Sequence, residues 1–293
     1  MFVTAIESAG RFTRAIHTAV RNYGSDLVEA GAATLFFVNA EGWALTCKHV
    51  AMVLVESERI AAQRTAFIQE LSAGKGGKKM NRPARGLEQK YGFAKGKPFE
   101  VLSTFVQCVD QVTSLRITVH PDLDLALLKF EGGRLLCDAF PVFAARGDEL
   151  KQGKSLCRLG FPFPEFNNFH YDAATDSTSW TQEGRRDSPR FPLEGMVTRH
   201  LAGAGGTVVG FEMSTPGLRG QSGGPAFDVE GRIWGMQSVT NHLDLAFDVD
   251  AEVVREGRRK RVHDSAFLHV GLCVHVNVMK EFMKANNVSF SEG

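Results

Sequence analysis

Gly220-Gln221-Ser222-Gly223-Gly224-Pro225 is the segment with the clearest chemical content. A serine hydroxyl is a poor nucleophile at neutral pH and needs a base beside it. The backbone around it must also offer N–H groups to an oxyanion as it forms. Glycines on both sides allow the tight backbone that such a pocket requires, and the N–H groups of Gly220 and Ser222 are the expected donors. The same letters satisfy GxSxG, in which the serine sits between a strand and a helix, but Pro225 and the hairpin pattern behind it leave no room for a helix. A base is available at His49, in Thr46-Cys47-Lys48-His49-Val50, just past the apolar stretch Trp43–Thr46. Its near-neutral pKa suits it to take a proton from serine and return it to a leaving amine. Asp124 lies at the head of the apolar run DLALLKF. A carboxylate there can fix the imidazole tautomer and stabilise the imidazolium. Asp122 is its rival, and Asp124 is preferred because it directly precedes Leu125-Ala126-Leu127-Leu128. Each signal alone also fits a Gly-rich turn, a satisfied structural histidine or a solvated strand-end acid; their combination is what points to nucleophilic catalysis.

The elements that must position these residues read largely as strands. Residues 33–50 form an apolar run, a polar turn at Asn39-Ala40-Glu41-Gly42 and a second apolar run, a hairpin pattern. Strand-like segments follow at 99–119, 124–130, 155–161, 193–201, 207–215, 223–239 and 266–276. Residues 2–20 differ: Phe2, Ile6, Phe12, Ile16 and Val20 recur at near-helical spacing and predict an amphipathic helix. Residues 51–71, rich in helix formers without Gly or Pro, predict another helix, and 277–287 a last one. Between them, 72–98 is polar and basic, with Lys75, Lys78, Lys79, Arg82, Arg85, Lys90, Lys95 and Lys97 against Glu88, and reads as a long surface insertion. Residues 242–265, acidic and then basic, read as a second insertion. Many short strands with few helices predict a β barrel or sandwich rather than βαβ alternation.

Composition narrows the function classes. With 293 residues, 43% of them hydrophobic, and a net charge of +1, a packed core is expected and no global affinity for nucleic acid or membrane. Cys47, Cys108, Cys137, Cys157 and Cys273 are odd in number and lack CxxC or zinc-ligand spacing, so structural thiols are expected in a reduced, cytoplasmic chain, with no metal and no cofactor. Glu7, Arg11 and Arg14 interrupt any exportable apolar segment at the N-terminus. The basic 75–97 stretch could in principle meet nucleic acid, yet only Tyr91 and Phe93 are interleaved with its charges, which favours a solvated loop.

The order His49, Asp124, Ser222, with Thr46–His49, Asp124–Leu127, Gly220–Gly224 and Gly235–Ser238 as motifs, resembles the chymotrypsin-like (trypsin-like) serine peptidases over residues 30–285, nearest the bacterial disulfide-free branch that includes the high-temperature-requirement proteases. The resemblance implies an all-β fold of two six-stranded barrels with an N-terminal helix over 1–28, a first barrel over 29–145 carrying the insertion 51–98, and a second barrel over 146–293 carrying the insertion 242–265 and a C-terminal helix. It implies a serine endopeptidase acting on protein or peptide substrates through an acyl-enzyme on Ser222, with Ser238 supporting Asp124 and no PDZ module after the final helix. By position, the primary substrate pocket falls to Pro216, Gly217, Leu218, Arg219, Val239, Thr240 and Asn241, and Pro216, standing where an acid would select Lys or Arg, favours a small or uncharged side chain. Gln221 replaces the aspartate that pairs with a newly cut N-terminus in the digestive enzymes, so control is expected through loops or a regulatory protein partner. The alternatives are a catalytically silent binding module of the same fold and a serine hydrolase acting on something other than peptides.

Overall fold

Two curled sheets face one another, and the chain crosses between them after residue 131. The computed structural model describes residues 2–73, 83–255 and 257–293. The first barrel has strands β1 (Thr13–Asn22), β2 (Val28–Phe37), β3 (Trp43–Thr46), β4 (Pro98–Phe105), β5 (Ser114–Val119) and β6 (Ala126–Glu131) in the order β4-β1-β2-β3-β6-β5. In the second, β8 (Ser155–Gly160), β11 (Phe191–Ala202), β12 (Val208–Met213), β13 (Pro225–Phe227), β14 (Ile233–Arg255) and β15 (Arg258–His275) run β13-β8-β11-β12-β15-β14, and a β13–β14 pairing closes the ring. The short strands β7 (Val142–Phe143) and β16 (Ser291–Glu292) extend one edge, and β9 (Phe169–Asp172) and β10 (Ser177–Trp180) form a separate hairpin. This is the all-β double barrel that the motif order implies. Leu35, Phe36, Phe37, Leu45, Leu127, Leu128, Phe143, Leu159 and Phe227, all buried, join the two barrels in one core.

The N-terminal expectation is corrected. Only α1 (Val3–Gly10) is helical; Phe12 lies in the turn after it, and Ile16 and Val20 lie in β1, which pairs with β2 and β4. On β1, Thr13, Ala15, His17, Ala19 and Arg21 are buried on one face and Ile16 is buried in the core on the other, so a period of two carries no clean hydrophobic signature. The alternation is hidden because His17 and Arg21 are satisfied inside: His17 stacks on Phe166 and bonds Ser188 at 2.9 Å, and Arg21 pairs with Glu100 at 3.1 Å. The first barrel therefore starts before residue 28.

Both insertions also differ from expectation. Helix α2 (Lys48–Ala73) begins one residue before His49, and α3 (Pro83–Tyr91) occupies part of the expected polar loop. Phe67, Phe93 and Phe99 bury together with Tyr23, Leu71 and Tyr91 around them, so aromatic burial docks this segment on β4. Lys90 is held by Glu70 at 2.7 Å; Lys75, Lys78, Lys79 and Arg82, with the side chain of Arg85, lie outside the described residues. Residues 242–265 are no separate loop but the outer part of β14 and β15, whose pairing continues from the barrel to Arg255–Arg258. Helix α4 (Val276–Ala285), which follows β15, buries Val278, Met279, Phe282 and Met283. All five cysteines are buried and unpaired. Among the described residues no helix is long and apolar enough to cross a membrane.

Candidate active site

The antiparallel register of β3 and β6 pairs Thr46 with Ala126. That pairing sets His49, in the first turn of α2, and Asp124, just before β6, at the same end of adjacent strands. Thr46 Oγ1 donates to the Thr34 carbonyl at 2.7 Å and anchors the strand end. His49 Nδ1 lies 2.8 Å and 3.0 Å from the Asp124 carboxylate oxygens, and the His49 backbone N–H donates to the same group at 2.9 Å. With Nδ1 committed as donor, Nε2 is left as the base. Ser238 Oγ donates at 2.5 Å to Asp124 Oδ2, the carboxylate oxygen nearest His49 Nδ1. Burial alone would raise the Asp124 pKa, but the bonds from His49 and Ser238 prevail and hold it down to about 2.

The serine loop belongs to the second barrel but is fastened to the first. Thr34 on β2 donates its N–H to the Ser222 carbonyl at 3.0 Å and its hydroxyl to the Gly220 carbonyl at 2.7 Å. Gly220 and Gly223 have φ of 96° and 88°, where other residues are strained. A Cβ on Gly223 would stand 2.0 Å from the Thr34 carbonyl oxygen, so glycine lets the barrels approach here. Within the loop, the N–H groups of Gln221, Gly223 and Gly224 donate to Leu218, Gln237 and Gln221. Those of Gly220 and Ser222 have no acceptor among the described residues. The pattern leaves free the two donors that an oxyanion hole requires. The buried Gln221 side chain accepts from Leu218 N–H at 3.0 Å and donates to the Phe191 carbonyl at 3.1 Å, so the loop is braced internally.

Ser222 and His49 line one cavity of about 450 Å³ with Ile16, Val20, Val50, Val53, Leu54 and Arg219. No hydrogen bond joins the hydroxyl to the imidazole among the described residues. Ser222 Oγ instead donates to the Ser238 carbonyl at 3.0 Å. Cys47 adds a donor atom within 4.8 Å of His49 and Asp124. Its thiol donates to the Gln237 carbonyl at 3.2 Å, and burial pushes its pKa well up, so it is a protonated core group rather than a thiolate ligand.

The expected primary pocket is differently built. Of its seven residues, only Arg219 lines the cavity at Ser222. Thr240 Oγ1 donates to the Gly217 carbonyl at 2.5 Å, tying the two expected walls together. The Gln237 carboxamide fills the space beside Gly217, where a Cβ would be 2.2 Å from its Nε2, and that nitrogen donates to the Val239 carbonyl at 2.9 Å. Beneath it the fully buried Arg158 guanidinium donates to Gln237 Oε1, to the Thr215 carbonyl at 2.9 Å and to the Pro216 carbonyl at 3.0 Å. Pro216, Gly217, Leu218, Val239, Thr240 and Asn241 therefore do not open onto the cavity. Thr34, Arg158 and Gln237 were not found from sequence. An arginine within the apolar run Ser155–Gly160 was a visible signal for Arg158; Thr34 and Gln237 act through contacts that no local pattern encodes.

A family model described as a trypsin-like peptidase domain matches residues 33–236. No curated protein matches the chain. Similar solved structures include the HtrA-type protease AlgW with tripeptide, at 12% identity and a TM-score of 0.47, over 97% of this chain and 63% of that one. Another is Rv3671c from M. tuberculosis H37Rv, a serine-to-alanine mutant in its inactive form, at 12% identity and a TM-score of 0.46, over 97% of this chain and 90% of that one. The chain thus spans 63% of the length of the AlgW chain. The family match covers more than half of the chain, spans parts of both barrels and includes His49, Asp124 and Ser222, and on that ground the chain belongs to the trypsin-like peptidases.

Proposed function

We propose that the protein is a serine endopeptidase that cleaves protein or peptide substrates through an acyl-enzyme on Ser222. One observation carries the reading: Ser222 stands between two free backbone N–H groups, its own and that of Gly220, on a cavity it shares with a histidine oriented by Asp124. In the reaction, the Ser222 hydroxyl turns from the Ser238 carbonyl to His49 Nε2 and gives up its proton as it attacks the scissile carbonyl. The two N–H groups receive the oxyanion, His49⁺ protonates the leaving amine, and water activated by the same imidazole hydrolyses the ester. Asp124, held ionised, stabilises the imidazolium throughout. The apolar cavity walls from β1 and α2 accommodate an apolar stretch of substrate chain.

The second reading, a silent binding module, is favoured by the Ser222–Ser238 bond and the tied Thr240–Gly217 walls. Fluorophosphonate labelling separates the two. Ser222 should be modified in the wild type and not in Ser222→Ala, and mapping of new protein N-termini should yield cleavages that Ser222→Ala lacks. Absence of labelling at neutral pH with a folded wild type would reject the peptidase.

A further inference from the structure

Exposed apolar side chains away from the cleft, Val249, Val253 and Val254 among them, lie on the ribbon formed by β14 and β15. Beyond Asn241–Val270 these strands pair only with each other among the described residues. A two-stranded ribbon alone is marginal in water, and alternation gives this one two unlike faces. One face is ionic: Ser265 donates to Asp248 at 2.9 Å, His263 lies 3.2 Å from Asp250, and Arg261 and Arg259 lie 3.5 Å and 3.6 Å from Asp250 and Glu252. The other carries four cross-strand rows, Val249 opposite Asp264, Ala251 opposite Val262, Val253 opposite Lys260 and, at the tip, Arg255 opposite Arg258. Val249 and Val253 are 49% and 39% exposed. Lys260 and Asp264 form no ion pair among the described residues, although every acid on the first face does.

We propose that this second face joins two copies of the chain about a two-fold axis crossing the ribbons at the Ala251–Val262 row. Such an interface requires a patch complementary to itself. Rotation about an axis lying across the strands carries the Val249–Asp264 row onto the Val253–Lys260 row of the other copy. Valine then meets valine on β14, Asp264 meets Lys260 on β15 twice over, and Ala251 and Val262 meet their own counterparts. Lys260 and Asp264 are equidistant from Val262 along β15 and opposite in sign, which is the arrangement a two-fold contact needs. The geometry has room: the tip reaches about 17 Å past the axis, whereas the barrel lies about 30 Å behind it. A bilayer is a poorer occupant, because inserting this face would bury Asp264 among the valines.

Sedimentation velocity on the full chain tests the proposal. The wild type should pass from monomer to dimer as its concentration rises through the micromolar range. Lys260→Asp or Asp264→Lys alone should weaken association roughly tenfold or more, because like charges then oppose each other at both ends. The double variant K260D/D264K should restore it, and mixing the two single variants should give a heterodimer. Val253→Asp should abolish the dimer; circular dichroism unchanged from wild type guards against misfolding at these exposed sites. A wild type that stays monomeric, or a dimer indifferent to both charge reversals, overturns the proposal. Co-sedimentation of a monomeric wild type with phosphatidylserine vesicles, lost in Val253→Asp, would assign the face to a lipid surface instead.

Discussion

Asp124 sits in surroundings that oppose one another. Burial favours the neutral acid, while bonds from the His49 ring, the Ser238 hydroxyl and the His49 backbone favour the anion and prevail, leaving a pKa of about 2 against an ordinary 3.8. A folded-state pKa below the unfolded one means that the unfolded chain takes up the proton first as pH falls. The resulting stabilisation is complete above about pH 4 and is lost between about pH 4 and pH 2, on the order of 2 kcal/mol in all. Asp124→Asn should remove this component from the pH dependence of the urea midpoint and slow acylation of Ser222 by about 10⁴-fold. His17 and His275 act higher on the pH scale. Burial lowers both from 6.5 to about 4. The unfolded chain is protonated first between those values, so stability should fall as pH drops from about 6.5 to about 4. Thermal melts of His17→Gln across that window should show a shallower loss than the wild type.

At the scale of elements, strand β2 is what places Ser222. Thr34 bonds the serine loop through N–H and hydroxyl and also accepts from Phe161 N–H at 3.2 Å. Thr34→Val keeps shape and the backbone bond to Ser222 but orphans the Gly220 carbonyl and the Phe161 N–H, and should cost about 1–3 kcal/mol in urea unfolding while lowering the labelling rate of Ser222. Gly223→Ala meets both a strained φ and a backbone oxygen, and should cost about 2–4 kcal/mol or prevent correct loop closure, read by the same two measurements. The elements themselves were unevenly legible. Strands β3 and β6, with apolar runs ending at His49 and beginning after Asp124, could be read directly. Strand β1 could not, because one face buries His17 and Arg21 while Ile16 and Val20, on the other, recur at a spacing that imitates a helix.

Across the whole molecule, one cluster spans both barrels, a second around Phe211 and Trp234 fills the second barrel, and the helical insertion is an added layer. Phe67 touches Tyr23, Phe93 and Phe99 with ring centroids 6.1, 5.2 and 6.1 Å away. Phe67→Ala should therefore destabilise the fold by about 3–5 kcal/mol, seen as a lower urea midpoint, while the fluorophosphonate labelling rate of the folded fraction stays at the wild-type level. That outcome would mark the insertion as structural support lying outside the catalytic machinery.

The residues for nucleophilic chemistry, their order and the strand-rich architecture were determined by sequence alone, because nucleophile loops need glycine, bases need histidine, and buried strands need apolar runs, all local demands. Which surfaces stay open was decided only by tertiary structure. Closure of the expected pocket depends on Arg158, Gln237 and Thr240 meeting Gly217 and Pro216 across barrel strands. The two-faced ribbon depends on a register that pairs Asp264 with Val249 and Lys260 with Val253. Such contacts join positions distant in the chain, and their energies exist only once the strands are side by side.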